Sequence, residues 1–133
     1  MALFEWTPAL AVGNKDIDSD HRHLIDLINK LFFAISNGKG NVVIGEIVDE
    51  LIRYTETHFQ REEALMQQIG YGSYEAHKAA HDAFVLEVRK LQARFVAGQV
   101  LSPMNVFSFL GDWLFKHIQA CDVALGAASQ AVH

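Results

Sequence analysis

Apolar side chains recur at intervals of three and four residues in four long segments of this 133-residue chain. In the first segment the stripe runs through Leu24, Ile28, Leu31 and Ile35, a spacing that puts every member on one face of an α-helix. Breaks that contain glycine separate the four segments, and the chain has only two prolines. We therefore predict an all-α fold, an up-down-up-down four-helix bundle preceded by an irregular N-terminal arm.

Capping residues and glycines indicate where the four helices begin and end. Ser102-Pro103 should start the fourth helix, because proline's missing amide hydrogen is not needed in a first turn. Side-chain oxygens at N-caps and glycines after the last turn mark the other boundaries. The expected caps are Asp16, Asp18 or Ser19 for the first helix and Ser73 for the third, and the expected ends lie near Gly38 and Gly40, Gly70 to Gly72, and Gly98.

Length, charge and composition exclude several classes of partner. The length suits one domain, which we expect to span residues 1–133. The net charge of −5 argues against a phosphate-binding surface, so nucleic acid is not an expected partner. Glu5 and Pro8 do not suit a signal peptide, and Asp112 and Lys116 interrupt the most apolar stretch. We therefore expect no stable membrane insertion and a cytoplasmic location, with which the single cysteine, Cys121, is compatible.

Five of the seven histidines lie on the apolar stripes, which a bundle turns towards its core. A buried polar side chain without a partner costs about 1–3 kcal/mol, so five imidazoles in one small core need an explanation, and metal coordination supplies one. His58 and Glu62 are four residues apart, as are His77 and His81, and this spacing puts each pair on one helix face. The histidines on the stripes are His21, His58, His77, His81 and His117.

The spacing between His117 and Asp122 is different, because five residues of regular α-helix would separate their side chains by roughly 140°. We hypothesise that the helix widens there as a π-bulge, a feature that is common at functional sites. Regular i→i−4 hydrogen bonding throughout residues 114–124 would contradict this hypothesis.

Four segments resemble, in order and spacing, the iron-binding motifs of the hemerythrin family: IDSDHRHL, HFQREE, HKAAH and WLFKHIQACD. The resemblance extends from about Phe4 to about Asp122, nearly the whole chain. It implies a cofactor of two non-haem iron ions, bridged by two carboxylates and an oxo or hydroxo group. The ligands that it implies are His77, His81 and His117 for one iron, His21 and His58 for the other, and Glu62 and Asp122 as bridges.

The implied centre is one donor short of saturation. Five histidines, two bridging carboxylates and one bridging oxygen supply roughly eleven bonds, against the roughly twelve positions of two octahedral irons. The resemblance implies that dioxygen binds reversibly at the open position, for oxygen storage, transport or delivery to an oxygen-consuming enzyme. No extra acid or base is evident in the apolar pocket, so we expect carriage without enzymatic turnover. The pocket positions that match the family are Leu24, Phe59, Trp113, Leu114 and Ile118.

Other interpretations of the same residues stay open at this point. An oxygen or redox sensor, or a protein that reacts with peroxide or nitric oxide, could use the same centre. Each residue of the apolar pocket could also be plain core. A structural zinc ion usually takes four ligands, fewer than the seven residues found, and the Glu-x-x-His pairs of ferritin-like di-iron proteins do not occur.

Several residues near the motifs are not expected to bind metal. His23 comes two residues after a predicted ligand and should point roughly 160° away from it, towards the surface, and His133 is terminal. We expect Cys121 to be a small packed thiol and Phe4 and Trp6 to cover the core from the N-terminal arm. A monomer is favoured, because no large exposed apolar stripe requires association.

Overall fold

The computed structural model describes residues 3–132, which form a bundle of four long helices joined by short connections. A π-helical turn, Ile118–Asp122, continues the fourth helix directly into a further helical segment. The predicted all-α four-helix bundle is confirmed, and His133 lies outside the described residues. The helices are α1 (Lys15–Ser36), α2 (Gly40–Gln68), α3 (Tyr74–Val96), α4 (Pro103–His117) and α5 (Val123–Val132).

The prediction that Asp16, Asp18 or Ser19 caps α1 is wrong, because an asparagine precedes them in the cap position. The Asn14 side-chain oxygen accepts hydrogen bonds from the backbone N–H groups of Asp16, at 3.0 Å, and Ile17, at 3.1 Å. These bonds satisfy two of the amide groups that a helix N-terminus leaves unpaired. Asp16 and Asp18 lie instead in the first turn, where their negative charges interact favourably with the positive end of the helix dipole.

The other predicted boundaries agree with the structure more closely. The Ser102 hydroxyl accepts a hydrogen bond from the backbone N–H of Asn105 at 3.3 Å, with Pro103 as the first residue of α4. Ser73 does precede α3, but its side chain makes no capping hydrogen bond. Gly70 and Gly98 follow α2 and α3 with φ angles of +64° and +83°, a conformation that favours glycine.

The helices pack around one hydrophobic core that runs along the bundle. α1 lies against α2 and α4, and α2 lies against α3. Stacking of Phe84 on Trp113, at a centroid distance of 3.9 Å, joins α3 to α4. Within residues 3–132, no helix combines the length and the apolar character needed to cross a bilayer. The largest fully buried apolar side chains include Leu24, Ile28, Leu31, Ile47, Leu51, Met66, Phe107, Leu110 and Ile118.

The N-terminal arm packs across the bundle, as the sequence predicted. The Phe4 ring lies 5.1 Å from the ring of Phe107, centroid to centroid. The arm is held in register because the Phe4 backbone N–H donates to the Asn29 side chain at 3.1 Å and the Asn29 amide donates back to the Phe4 carbonyl at 2.6 Å. The Arg22 guanidinium lies 4.0 Å above the Trp6 ring, a cation–π contact.

Candidate metal centre

Seven side chains of the types that can bind metal ions converge inside the bundle, and none of these residues is more than 5% exposed. α1 contributes one of them, α2 and α3 contribute two each, and the other two lie at the end of α4 and in the π-helical turn. The structure therefore brings together every predicted ligand from all four long helices. They are His21, His58, Glu62, His77, His81, His117 and Asp122.

These side chains form two ligand groups that share both carboxylates. In each group, one potential ligand atom per residue lies within 4.8 Å of all the others. The first group has three histidines, His77, His81 and His117, with Glu62 and Asp122. The second group has two histidines, His21 and His58, with the same two carboxylates.

Asp122 directs one oxygen at each group. Its Oδ1 lies 2.9 Å from Nε2 of His77 and 3.1 Å from Nε2 of His117, both in the three-histidine group. Its Oδ2 lies 2.9 Å from Nε2 of His21, in the two-histidine group. The carboxylate therefore spans the two groups as a bridging ligand would.

Glu62 divides its oxygens in the same way. Its Oε1 lies 3.4 Å from Nε2 of His81 and 3.6 Å from Nε2 of His77, whereas its Oε2 lies 3.4 Å from Nε2 of His58. Two carboxylates with this division suit a pair of metal ions better than a single tetrahedral zinc ion.

The π-helical turn explains how His117 and Asp122 reach the same point. The backbone N–H of Val123 donates to the carbonyl of Ile118, an i→i+5 bond. In this wider turn five residues complete about one revolution, so Asp122 returns to the face of the helix that carries His117. The π-bulge hypothesis is confirmed.

The buried carboxylate oxygens lack the hydrogen bonds that burial normally demands. Among the described residues, no hydrogen-bond partner is found for either oxygen of Glu62 or of Asp122, nor for Nε2 of His21 or of His58. Imidazole nitrogens lie close to these oxygens, but the angles do not suit hydrogen bonds. A cation between these donor atoms would satisfy them together, so the residues fit the metal pair that the sequence resemblance implies.

The three-histidine group gives the same indication. Nε2 of His117 lies 3.1 Å from Nε2 of His77 and 2.9 Å from Nε2 of His81. A neutral imidazole carries only one N–H, so one nitrogen cannot donate to both neighbours at once. Three nitrogen lone pairs converging on one point are the arrangement that a metal ion requires.

Two further carboxylates contact the Nδ1 atoms of two histidines, on the side of each ring away from the cluster. Sequence analysis missed both carboxylates. Nδ1 of His58 lies 2.9 Å from Oδ2 of Asp20, and Nδ1 of His81 lies 3.0 Å from Oε2 of Glu63. A histidine that donates from Nδ1 presents its Nε2 lone pair to a metal, and such partners commonly accompany metal-binding histidines. The adjacency of Asp20 to His21 and of Glu63 to Glu62 was the only sequence signal for either residue.

The electrostatics of the site follow from the balance between burial and ion pairing. Burial lowers the pKa of His58, but the carboxylates of Asp20 and Glu62 outweigh it and raise the pKa to about 9. Burial also lowers the pKa of His77, and the carboxylates of Asp122 and Glu62 raise it to about 9. Protons on these two imidazoles therefore balance the buried carboxylates in the metal-free protein at neutral pH.

The bridging carboxylates show the complementary shift. Burial raises the pKa of Glu62, but the imidazoles of His58, His77 and His81 outweigh it and hold the pKa well below the usual value. Burial and the charge of Glu62 raise the pKa of Asp122, yet its histidine neighbours still hold it below the usual value. Both carboxylates are therefore charged and available to a metal ion at neutral pH.

Aromatic rings pack directly on two of the histidines. The ring of Phe59 stacks on His81 at a centroid distance of 3.8 Å and an angle of 2°, and the ring of Trp113 stacks on His117 at 4.5 Å and 12°. The other predicted pocket residues, Leu24, Leu114 and Ile118, are buried in the hydrophobic core. Four of the five predicted pocket residues are therefore buried. The fifth, Trp113, is partly exposed but packs against His117.

Two residues near the centre are not among its ligand groups. His23 is exposed and stacks on Tyr54 at a centroid distance of 4.0 Å, in agreement with the predicted surface position. Cys121 is partly buried. Burial raises the pKa of its thiol, and the negative charges of Asp122 and Glu62 raise it too. The thiol is therefore protonated at neutral pH, which does not favour a reactive role.

The chain matches a known protein family over most of its length. Residues 12–124 match the Hemerythrin HHE cation binding domain, a span that contains all seven side chains of the cluster. The chain belongs to the hemerythrin family. Hemerythrins bind a di-iron centre, and the buried cluster of histidines and carboxylates described above is positioned to bind metal.

Individual hemerythrins resemble the chain over most of its length. It is 38% identical to a bacteriohemerythrin of Stenotrophomonas maltophilia over 124 residues, covering 93% of this chain and 80% of that one. It is 37% identical to a bacteriohemerythrin of Methylococcus capsulatus over 132 residues, covering 98% and 100%. A hemerythrin of Sipunculus nudus is 32% identical over 120 residues, covering 90% and 87%.

A solved structure supports the same assignment. A crystal structure of a wild-type hemerythrin superposes with a TM-score of 0.87 at 36% identity, covering 96% of this chain and 98% of that one. The family relationship and the buried cluster together fit a di-iron, oxygen-binding function.

Proposed function

We propose that this hemerythrin binds dioxygen reversibly at a di-iron centre held by the seven buried side chains, and that it stores oxygen or delivers it. His77, His81 and His117 would bind one iron, His21 and His58 the other, and Glu62 and Asp122 would bridge them. The observation that carries this proposal is the division of the carboxylate oxygens, one towards each histidine group.

The inequality of the two groups supports a binding role. An octahedral iron held by three histidines and two carboxylate oxygens would have one position left for a bridging oxygen. An iron held by His21, His58 and the same two carboxylates would have one histidine fewer and therefore one further position for a ligand. A pair of ferrous ions bound there would supply the two electrons and the coordination position that reversible dioxygen binding needs.

The residues around the centre would limit side reactions by excluding water and proton donors. Leu24, Leu114 and Ile118 are buried apolar residues, and Phe59 and Trp113 cover two of the histidines. None of these five side chains is an acid or a base that could protonate bound oxygen, whereas turnover by general acid catalysis would need such a group at the open position. We therefore propose carriage without enzymatic conversion, with the five side chains as the oxygen pocket.

The physiological setting belongs to the same proposal. We propose a cytoplasmic monomer over residues 1–133 whose oxygen passes to an oxygen-consuming enzyme. An oxygen or redox sensor, or a protein that reacts with peroxide or nitric oxide, would use the same centre and is the alternative that the test must separate.

An anaerobic optical titration tests this function. The ferrous protein should be nearly colourless, develop a visible charge-transfer band when oxygen is added, and bleach when oxygen is removed, over repeated cycles. Metal analysis should give about two irons per chain. Irreversible conversion to the ferric form in a single exposure would favour the sensing or reactive alternatives, and one zinc ion per chain would exclude the proposed centre.

A further inference from the structure

Asp20 has no place in the ligand groups, yet this residue is only 5% exposed and its carboxylate receives three hydrogen bonds. Oδ2 accepts from Nδ1 of His58 at 2.9 Å and from Nη1 of Arg61 at 2.7 Å. Oδ1 accepts from the Tyr54 hydroxyl at 3.1 Å. A buried carboxylate with this many donors has its position and its charge set by the surrounding residues.

The contact between Asp20 and His58 determines which nitrogen of the imidazole faces the cluster. When Nδ1 carries the proton that Asp20 accepts, Nε2 is the nitrogen 3.4 Å from Oε2 of Glu62. The hydrogen bond also makes Nε2 a better electron donor, because negative charge on the partner strengthens the ring as a ligand.

Arg61 contacts the same oxygen of Asp20. Its guanidinium contacts Oδ2, the atom that His58 uses, while its side chain is 43% exposed. A positive charge at this distance would draw electron density from the carboxylate and so weaken the effect of Asp20 on His58. A surface residue is thereby connected to the two-histidine group through two hydrogen bonds.

The three-histidine group has a different arrangement. There, Glu63 contacts Nδ1 of His81 at 3.0 Å, and its nearest cation is Lys78 at 3.8 Å, well beyond the 2.7 Å of the Arg61 contact. The two groups therefore differ in the number of histidines and also in how closely a cation contacts the carboxylate on Nδ1.

We propose that Asp20 is a positioning residue for the two-histidine metal, which holds His58 with Nε2 towards that metal, and that Arg61 limits the charge Asp20 transmits. This inference rests on the proposed function only in taking His58 as a metal ligand. It assigns to Arg61, on the protein surface, control over the donor strength of a buried histidine.

A cobalt(II) titration of the metal-free full chain, followed by visible absorption, tests the role of Asp20. The wild-type protein should bind two cobalt ions. Asp20→Asn keeps the shape and removes the charge, so one of the two ions should bind about 10–100-fold more weakly, with the other nearly unchanged. Asp26→Asn, an exposed change on the same helix, should leave both affinities as in the wild type.

Arg61→Gln separates two roles of Arg61: an effect on the charge of Asp20, and a purely structural role in holding Asp20 in place. If Arg61 limits the charge on Asp20, its removal should tighten the affected cobalt ion, and the change should disappear in the Asp20→Asn background. If Arg61 only holds Asp20 in place, Arg61→Gln should weaken cobalt binding as Asp20→Asn does, and the proposed role of Arg61 would be wrong.

Proton NMR of the cobalt-loaded protein reads the His58 contact directly. High-spin cobalt shifts the ring N–H protons of its histidine ligands far from other signals, and the rate of their loss in D₂O reports hydrogen bonding. One such signal should exchange faster in Asp20→Asn than in the wild type. Unchanged exchange together with unchanged affinity would overturn the proposal for Asp20, whereas failure of the wild type to bind two ions would instead contradict the proposed function.

Discussion

Glu62 is the residue that connects the two ligand groups from α2. It is fully buried, and its two oxygens face different histidines. Glu62→Ala should therefore remove a ligand from both metals, and iron content should fall from about two per chain to well below one by elemental analysis. Glu46→Ala, an exposed change on the same helix, should retain both irons. A Glu62→Ala protein that still holds two irons would show that this carboxylate does not bridge them.

Ile118 lies next to His117 and is fully buried. Ile118→Ala should lower the free energy of unfolding by about 2–5 kcal/mol, because it leaves a cavity in the core. The cavity should also admit water to the centre, so the oxygen-loaded protein should convert to the ferric form faster, which absorption spectroscopy would follow. Val96→Ala, at a residue that is 79% exposed, is the matched control and should change neither quantity. An unchanged conversion rate in Ile118→Ala would argue against a pocket at this position.

The π-helical turn after α4 decides whether Asp122 reaches the centre. Inserting one alanine between Gln119 and Ala120 should rotate Asp122 by about 100° and abolish binding of two metals. Deleting Ala120 should convert the turn to regular α-helix with the carboxylate four residues after His117, so metal binding should survive. Circular dichroism would check that both variants remain helical, and metal analysis would give the result. Retention of two metals by the insertion variant would mean that the turn is not what positions Asp122.

The stability of the metal-free bundle depends on protons that the metals would replace. The pKa values of His58 and His77, about 9, lie above the ordinary value of 6.5. Their contribution to stability is therefore fully present below about pH 6.5 and is lost as the pH rises through about 9. Urea unfolding of the metal-free protein should show a falling free energy of unfolding over this range.

For the metal-loaded protein, the free energy of unfolding should rise with pH between about pH 6 and about pH 8. Protons compete with metal ions for the imidazoles, so the stabilisation by bound metal should grow as the pH rises from about 6 to about 8. The same urea experiment with two equivalents of metal would measure it. Parallel pH dependence in the two forms would show that these histidines do not exchange protons for metal.

The apolar stripes and the four-residue spacings determined most of the fold and the ligand pairs, because helix geometry is local. His58 with Glu62, and His77 with His81, had to share a helix face wherever the helix lay. The five-residue spacing before Asp122 also predicted the π-helical turn, since no regular helix aligns those side chains. The resemblance to the hemerythrin family added which side chains would share a metal.

The tertiary structure decided the features that depend on contacts between distant residues. Asp20 became the partner of His58, and Glu63 that of His81, only because the packing of α1 on α2 and of α2 on α3 brings these atoms within hydrogen-bond distance. The contacts of Glu62 Oε1 with His77 and His81 have the same origin, whereas its contact with His58 lies within α2. Local periodicity specifies the face on which a side chain lies, whereas the distance to an atom on another helix is set by how the helices pack.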